Sequence, residues 1–225
     1  MSDYKVYTYW RSSCSARLRI GLDLKAISYD QIPVNLLKNE QQSPEHKSLN
    51  PSGSVPLLLR NKGHAADTAP FRIGQSVAAL EYLDEVHPAS PLLPPTSNPE
   101  GRATVRTLVN IISCDIQPVT NLRIMRRVTA LGGDAEEWNR DLFVDGLLAY
   151  EAIAATCAGK YSYGDSPTIA DVCLMPAIWN ARRFKVPLDQ FPIINRVAEN
   201  MEQLPAVAKA SYFKQPDTPE DMRSK

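Results

Sequence analysis

One stretch decides the fold of this chain, and it reads Trp10-Arg11-Ser12-Ser13-Cys14-Ser15-Ala16-Arg17. It follows residues 5–9, whose β-branched and aromatic side chains predict a strand. It leads into residues 16–24, which can form a helix. The first N–H groups of a helix have no partner inside it, so hydroxyl and thiol groups at such a start favour a bound anion. The sequence therefore predicts a strand, an anion-holding turn and a helix in succession.

The segment 16–24 carries two competing patterns. Its apolar residues alternate strictly, which by itself favours a strand. On a helix the same residues form two rows on roughly opposite faces, which suits a helix buried on two sides. The rows are Ala16, Ile20 and Leu24 on one face and Leu18 and Leu22 on the other. We predict a helix, and the family resemblance given below decides between the two patterns.

Composition excludes several classes of protein. The 225 residues include 25 Lys and Arg and 25 Asp and Glu, so no overall field attracts nucleic acid. Four widely spaced cysteines without a CxxC pair, together with three scattered histidines, argue against a disulfide framework or a zinc site. The chain has neither a signal-like N-terminus nor an apolar run of about 18 residues. We expect a cytoplasmic protein with no metal and no nucleic-acid or membrane partner.

The first 87 residues predict a small α/β domain. The expected elements are strands at 28–33, from Pro56 and near 71–73, and a helix from Gln75 to Val86. Because X-Pro bonds are the only common cis peptides, the Val55-Pro56 bond is predicted to be cis. The proline-rich segment 88–98 predicts a linker.

Residues 99–225 read as helices. Helix starts are expected at Asn98-Pro99-Glu100, Asp134, Thr168 and Pro192. Thr168 and Asp171 have the spacing of a capping box, and we assign this box to folding. The polar tail from Gln215 is expected to be irregular.

The serine turn has three interpretations. It is an ordinary serine-rich helix cap, or it makes Cys14 a nucleophile, or it holds the thiolate of a bound cofactor. No histidine lies near Cys14 in the sequence to act as its base. The spacing alone does not decide among the three, and we interpret the anion as a cofactor thiolate.

Taken together, several motifs resemble one family. They are Ser12-Ser13-Cys14-Ser15 with Arg17 and Arg19, Asn50-Pro51, Val55-Pro56, Gln75-Ser76, Gln117-Pro118, Asn121-Leu122, Asn180 and Arg183-Phe184-Lys185-Val186. The chain resembles the zeta class of glutathione transferases over nearly its whole length, through Gln215-Pro216-Asp217. The SSCS turn is specific to that class, whereas the Val-Pro, Gln-Ser and Thr-x-x-Asp features mark glutathione transferases more generally.

The resemblance implies a glutathione transferase fold of the α/β plus all-α class. A thioredoxin-like domain at 1–87 would bind glutathione as cofactor, and 88–98 would be the linker. An all-helical domain at 99–225, with a polar C-terminal tail, would supply much of the second substrate's pocket. A homodimer is implied by analogy with the fold.

The resemblance also implies a set of site residues. Ser12 would hydrogen-bond the glutathione sulfur, with Ser13 and Cys14 beside it as further catalytic residues. The implied glutathione-binding residues are Ser12, Ser13, Cys14, Ser15, Arg17, Gln41, Val55, Pro56, Gln75, Ser76, Gln117, Asn121 and Arg123. The Val55 main chain would pair with the cysteinyl part of glutathione. Gln75 and Ser76 would hold its γ-glutamyl end, and Gln41 would lie toward its glycine end.

The implied reaction is the cis-trans isomerisation of maleylacetoacetate to fumarylacetoacetate in phenylalanine and tyrosine catabolism. It proceeds by thiolate addition, bond rotation and elimination, so glutathione is regenerated. Arg17 and Arg183 are candidates for the carboxylates of this dianionic substrate, and salt bridges at the domain interface are the alternative for both. The alternative functions are a general glutathione transferase or α-halo-acid dehalogenase, and a non-catalytic binding module of the same fold.

Three positions depart from the family pattern. Ala16 stands where members often carry Trp or His, which predicts a more open pocket wall. The segment between Arg60 and Gly74 is longer than expected, and His64 within it has no assigned role. Gly74 precedes Gln75 where a polar or β-branched residue is more usual.

Overall fold

The computed structural model describes residues 2–61 and 69–223, so His64 and most of the long segment before Gly74 lie outside the described residues. Contacts divide the chain into one unit of Met1–Pro91 with Pro205–Lys225 and a second unit of Leu92–Leu204. The strands are β1 (Tyr4–Thr8), β2 (Tyr29–Pro33), β3 (Leu57–Arg60) and β4 (Phe71–Ile73). The helices are α1 (Ser13–Leu24), α2 (Pro44–Leu49), α3 (Ser76–Val86), α4 (Pro99–Asn110), α5 (Gln117–Thr120), α6 (Leu122–Ala130), α7 (Ala135–Ala154), α8 (Ile169–Arg183), α9 (Pro192–Glu202) and α10 (Pro205–Ala210).

The first unit is built on a four-stranded sheet in the order β2-β1-β3-β4. β1 pairs in parallel with β2 and antiparallel with β3, and β4 completes the edge. Tyr4 and Val6 of β1 and Leu58 of β3 share one buried cluster with residues of α1 and α3. This mixed sheet with helices against it is the α/β arrangement that the strand pattern predicted.

The helix prediction for residues 16–24 is confirmed, and so is its burial on two sides. Leu18 and Leu22 face the core shared with the sheet and α3. Ile20 is also fully buried, and α1 packs against α10. The strict apolar alternation therefore reflects two buried faces of one helix rather than a strand.

Lys25 closes the C-terminal end of α1. Its ammonium group donates to Asp84 Oδ1 at 2.8 Å, to the His87 carbonyl at 3.0 Å and to the Ser90 carbonyl at 2.6 Å. Three acceptors satisfy all three donors of this buried cation. The contact joins the end of α1 to the end of α3 and to the start of the predicted linker.

The C-terminal residues differ from the sequence expectation. The whole stretch from residue 99 onward was expected in the helical domain, but residues from Pro205 onward group with the sheet-containing unit. Gln215 and Thr218 are buried, and Glu220–Met222 forms a short 3-10 turn. The polar tail is ordered because its side chains and main chain find hydrogen-bond partners that its sequence does not reveal.

The second unit is helical throughout its regular elements. Asn98, Asp134 and Thr168 cap α4, α7 and α8 as predicted. A π-helical segment, Ile111–Ile116, joins α4 to α5. Phe191 offers no side-chain cap for α9, and Glu151 of α7 accepts from the N–H groups of Ile193 and Ile194 instead. Among the helices of the described ranges, none is both long enough and apolar enough to span a membrane.

Candidate active site

The serine turn joins β1 to α1 as predicted. Ser12 is the N-cap of α1, and its hydroxyl oxygen accepts from the Ser15 N–H at 3.2 Å. A hydroxyl that accepts through a lone pair still carries its own hydrogen. Ser12 is only partly buried, so its O–H remains able to donate to an anion outside the turn.

The three residues that follow Ser12 divide into two groups. Ser13 and Cys14 are partly exposed in the first turn of α1, and Cys14 is a free thiol. The first turn holds no acidic side chain, so its unpaired N–H groups and the helix dipole meet no negative charge there. Ser15 is fully buried, and its hydroxyl accepts from the Tyr9 N–H at 3.4 Å. Ser15 therefore supports the turn from inside.

Neither described histidine is placed to serve Cys14 as a base. His46 donates from Nε2 to the Ser54 carbonyl at 2.9 Å. His87 pairs through Nε2 with the Tyr4 hydroxyl at 2.8 Å. The described residues thus agree with the interpretation in which Cys14 is a neighbour of the anion rather than the nucleophile.

The Val55-Pro56 peptide is cis, as predicted. The register of β3 with β1 begins at Leu57, so the Val55 main chain lies just beyond the end of the ladder. A peptide main chain that pairs with Val55 would extend the pattern of the sheet.

Polar side chains hold the loop that precedes Val55. Asn50 donates to the Ser54 carbonyl at 2.8 Å and accepts from the Ser52 hydroxyl at 2.9 Å. Gln42 donates to the Gly53 carbonyl at 2.9 Å. A Cβ at Gly74 would lie 2.7 Å from Asn50 Oδ1. Glycine at that position, a departure from the family pattern, therefore leaves room for the Asn50 side chain.

Gln41 lies in the 3-10 turn Glu40–Gln42. Its side-chain oxygen is buried, and no donor among the described residues reaches it. A buried acceptor without a donor is unusual in a folded protein and indicates a ligand or water partner. This agrees with the expectation that Gln41 faces a bound tripeptide.

The start of α3 is the second open helix terminus of the unit. Gln75 is the N-cap but makes no side-chain cap hydrogen bond, and the first turn holds no acidic residue. Ser76 is buried at this terminus. Its hydroxyl oxygen accepts from Arg17 Nη1 at 3.4 Å. The structure therefore brings Arg17 of α1 to the predicted γ-glutamyl site.

Arg17 is buried, with only 2% of its surface exposed. Its Nε has no hydrogen-bond partner, and within residues 2–61 and 69–223 no carboxylate forms an ion pair with it. A buried guanidinium without a counter-charge is costly unless an anion completes the site. Arg17 beside Ser76 thus defines a place for one carboxylate.

The predicted residues of the helical unit have different surroundings. Gln117 is partly buried at the start of α5, directly after the π-helical segment. Asn121 caps α6, since its Oδ1 accepts from the Ile124 N–H at 3.1 Å. Arg123 is exposed on α6, and exposed Arg183 lies 4.9 Å from the centre of the Phe184 ring. The Asn121 side chain therefore has a structural role within this unit.

Sequence reasoning assigned no role to Asn50, Gln42 or Arg19, although all three shape the site. Asn50 and Arg19 belonged to the motifs of the resemblance, and both are buried polar residues. Arg19 is a fully buried charged side chain in α1, and such a side chain indicates a buried hydrogen-bond network. Its partners lie too far along the chain to be identified from sequence.

Two family descriptions match the chain. "Glutathione S-transferase, N-terminal domain" matches residues 2–85, and "Glutathione S-transferase, C-terminal domain" matches residues 146–205. The maleylacetoacetate isomerase maiA of Aspergillus fumigatus is 59% identical over 220 residues, covering 97% of this chain and 94% of the relative. The chain belongs to the glutathione transferase family.

Solved structures refine this assignment. A maleylpyruvate isomerase, described as a bacterial glutathione S-transferase of the zeta class, matches with a TM-score of 0.86 and 37% identity, covering 96% of this chain and 100% of that one. The maleylacetoacetate isomerase of Anaeromyxobacter dehalogenans 2CP-1, solved with glutathione in its active site, also matches at 0.86 and 37%, covering 97% and 100%. Within the family, the chain is a zeta-class glutathione transferase.

Proposed function

We propose that the protein catalyses the glutathione-dependent cis-trans isomerisation of maleylacetoacetate to fumarylacetoacetate. The observation that carries this proposal is the pair of open helix starts in one unit, at Ser12 and at Ser76. One suits a thiolate, and the other suits a carboxylate. The relatives that act on maleylacetoacetate match nearly the full chain.

Glutathione fits the unsatisfied groups of the first unit. The unpartnered Nε of Arg17 and the unpartnered side-chain oxygen of Gln41 are buried atoms that need ligand partners. Ser76 and Gln75 would hold the γ-glutamyl end at the open start of α3. Val55 would pair with the cysteinyl main chain, and Gln41 would meet the glycine end.

The surroundings of Arg17 favour one of its two assigned roles. Its guanidinium points to Ser76, at the proposed γ-glutamyl site, through the contact of 3.4 Å. We therefore assign Arg17 to the γ-glutamyl carboxylate of glutathione rather than to the substrate. Arg183 remains the proposed partner of a substrate carboxylate, with Gln117 and Arg123 of the helical unit as residues bordering the site.

Bound glutathione supplies a thiolate that adds to the alkene and leaves again, so that the former double bond can rotate. Ser12 stabilises the sulfur anion by donating its O–H, since its oxygen accepts from the Ser15 N–H through one lone pair and keeps its own hydrogen free to donate. The free N–H groups and dipole of α1 favour the same negative charge. Ser13 and Cys14 lie beside it in the first turn. The chain therefore needs no nucleophile of its own.

The test is an isomerase assay with maleylacetoacetate, with and without glutathione. We expect loss of the cis isomer only when glutathione is present, with no net consumption of glutathione. Cys14→Ala should retain the activity, and Ser12→Ala should lose most of it. Isomerisation that is absent, or equally fast without glutathione, would refute the proposal.

The same assay separates the alternatives. Release of halide from an α-halo acid with no isomerisation of maleylacetoacetate would identify a dehalogenase. Binding of glutathione without either reaction would identify a non-catalytic module. The open Ser12 turn favours catalysis, because a module that only binds glutathione does not need to stabilise its thiolate.

The proposed setting is phenylalanine and tyrosine catabolism in the cytoplasm, with the protein as a homodimer. The four cysteines are all free thiols, which supports a reducing compartment. Light scattering on the purified protein tests the dimer, and a monomer at micromolar concentration would contradict it.

A further inference from the structure

A contact far apart in sequence holds the main chain just before the serine turn. The Trp10 N–H donates to Asp217 Oδ2 at 2.8 Å. Trp10 lies two residues before Ser12, and the Ser12 N–H donates to the Tyr9 carbonyl at 3.0 Å. The Asp217 carboxylate therefore fixes the main chain at Trp10, in the short segment that leads to Ser12, the N-cap of α1.

The buried side chain of Arg19 also hydrogen-bonds to this segment. Its guanidinium donates to Thr8 Oγ1 at 2.8 Å and to the Trp10 carbonyl at 3.1 Å. It also donates to the Ala210 carbonyl, in α10, at 3.3 Å. The N–H of Trp10 and its carbonyl are thus both held by charged side chains.

The segment that carries Asp217 is itself fixed. The Thr218 hydroxyl donates to the Tyr212 carbonyl at 2.7 Å and accepts from the Gln215 N–H at 3.1 Å. The Gln215 amide donates to the Ser211 carbonyl at 2.7 Å. Because these bonds close the chain on itself, Asp217 is presented on a preformed turn rather than on a loose tail.

Asp217 also contributes a charge. Its Oδ1 is buried without a partner among the described residues. Burial lowers the pKa of Arg19 to about 10, and the nearby Tyr29, Asp217 and Asp23 oppose this shift. Asp217 thus helps to keep Arg19 charged in addition to accepting from Trp10.

We infer that Asp217 is a positioning residue for catalysis: the C-terminal segment Gln215–Thr218 clamps Trp10 and so aligns the Ser12 hydroxyl. The inference rests on the proposed role of Ser12 toward the glutathione thiolate. It gives the ordered C-terminal segment a function in the reaction, although it lies about 200 residues from the turn that it holds.

Three variants of the full chain test the clamp. Asp217→Ala removes the acceptor of the Trp10 N–H, whereas Asp217→Asn removes the charge but keeps an acceptor oxygen. Asp221→Ala is the matched control, since it removes an exposed carboxylate from the short turn that follows this segment. Hydrogen exchange of the amides of residues 10–15, measured without ligand, reports directly whether Asp217 holds this segment in place. Isomerase kinetics and the pH titration of the bound thiol read its effect on catalysis.

We expect exchange of residues 10–15 to be about tenfold faster in Asp217→Ala, the factor for losing one hydrogen bond to a charged acceptor. The kcat should fall about tenfold while the KM for glutathione changes little, because the Arg17, Ser76 and Val55 contacts remain. The bound thiol should titrate at higher pH. Asp217→Asn, which keeps an uncharged acceptor oxygen, should be affected much less than Asp217→Ala, and Asp221→Ala should behave like the parent protein.

Other results would overturn the inference. If hydrogen exchange of residues 10–15 is unchanged in Asp217→Ala, then Asp217 does not hold this segment in place and the inference is wrong. If these amides exchange faster but the kcat and the titration of the bound thiol are unchanged, then Asp217 has a role in folding and none in catalysis. Equal defects in Asp217→Asn and Asp217→Ala would assign the effect to charge instead of positioning. A parent protein without glutathione-dependent isomerisation would refute the proposed function, and the catalytic part of this inference with it, whereas unchanged exchange in an otherwise active protein refutes the clamp alone.

Discussion

The start of α8 and the start of α1 solve the same physical problem in opposite ways. At α8, Asp171 accepts from the N–H groups of Ser162 and Thr168 at 2.7 Å each and from the Thr168 hydroxyl at 2.9 Å. The box is buried and complete. At α1, the Ser12 oxygen accepts one N–H, and the partly exposed first turn holds no acid. A closed helix start stabilises the fold, and an open one is available to a ligand.

The starts of α7 and α3 show the same contrast. In the helical unit, Asp134 accepts from two N–H groups at the start of α7. In the sheet-containing unit, α3 opens beside buried Arg17 without a side-chain cap from Gln75. Ser12, Gln75 and Ser76, three of the residues proposed to bind glutathione, thus lie at helix starts whose first turns hold no acid. The predictions below test this contrast, beginning with the largest expected effect.

Removing the acid of the closed start should be the most damaging change. Asp171→Ala leaves two buried N–H groups and one hydroxyl without an acceptor, so the free energy of unfolding should fall by about 3 kcal/mol or more. Asp134→Ala, the exposed counterpart at α7, should lower it much less, because water can replace the lost acceptor. Urea unfolding of both variants measures the difference. Equal losses would show that burial of the box adds nothing.

Replacing Arg17, the buried cation beside the start of α3, should weaken glutathione binding without lowering the stability of the fold. Arg17→Met should weaken glutathione binding by about 2 kcal/mol, or about thirtyfold in Kd, because a charge-assisted carboxylate contact is lost. The ligand-free protein should be no less stable, since an unpaired buried charge is removed. Calorimetry of glutathione binding and urea unfolding give the two readings. Lower stability with unchanged Kd would make Arg17 structural.

Removing the hydroxyl of the serine turn should change the thiol more than the fold. Ser12→Ala should raise the pKa of the bound glutathione thiol by about one unit, since one hydrogen bond to the anion is lost. Thiolate absorbance against pH measures this shift. Ser13→Ala and Cys14→Ala are the comparison variants. A titration in Ser12→Ala that matches the parent protein would exclude Ser12 from stabilising the sulfur anion.

The smallest effect is expected at the C-terminal end of α3. There His87 should make the free energy of unfolding depend weakly on pH. Burial lowers the pKa of His87 below 6.5, and the positive charges of Arg60 and Lys25 act in the same direction. The unfolded chain therefore takes up the proton first as pH falls. The stability that His87 contributes is full above pH 6.5 and is lost as pH drops toward the folded pKa. His87→Gln should flatten this dependence in urea unfolding between pH 7 and 5, and an unchanged slope would contradict it.

Local sequence signals predicted the helix starts well. The caps at Asn98, Asp134 and Thr168 and the cis bond before Pro56 are confirmed. Each depends on residues within a few positions of one another. Capping and proline geometry are short-range effects, so a single sequence suffices to locate them.

Signals that depend on distant partners were ambiguous or missing. The apolar alternation of α1 did not by itself distinguish a strand from a helix buried on two sides. The family resemblance favoured the helix, and the packing of α1 against α10 gives the physical reason. The tail from Gln215 was expected to be irregular because its polar residues and prolines do not reveal the turn that Gln215 and Thr218 close, and its contact with Trp10 lies about 200 residues away.

The sequence by itself determined the family, the serine turn, the cis peptide and the helix starts, since each is encoded by neighbouring residues. Only the tertiary structure showed that the capping box of α8 is buried and that Gln75 gives α3 no side-chain cap. It also decided that Arg17 faces Ser76 rather than a carboxylate of the described chain, and that Asp217 holds Trp10. The reason is that burial and counter-charge depend on residues brought together by folding, and one sequence does not state those contacts.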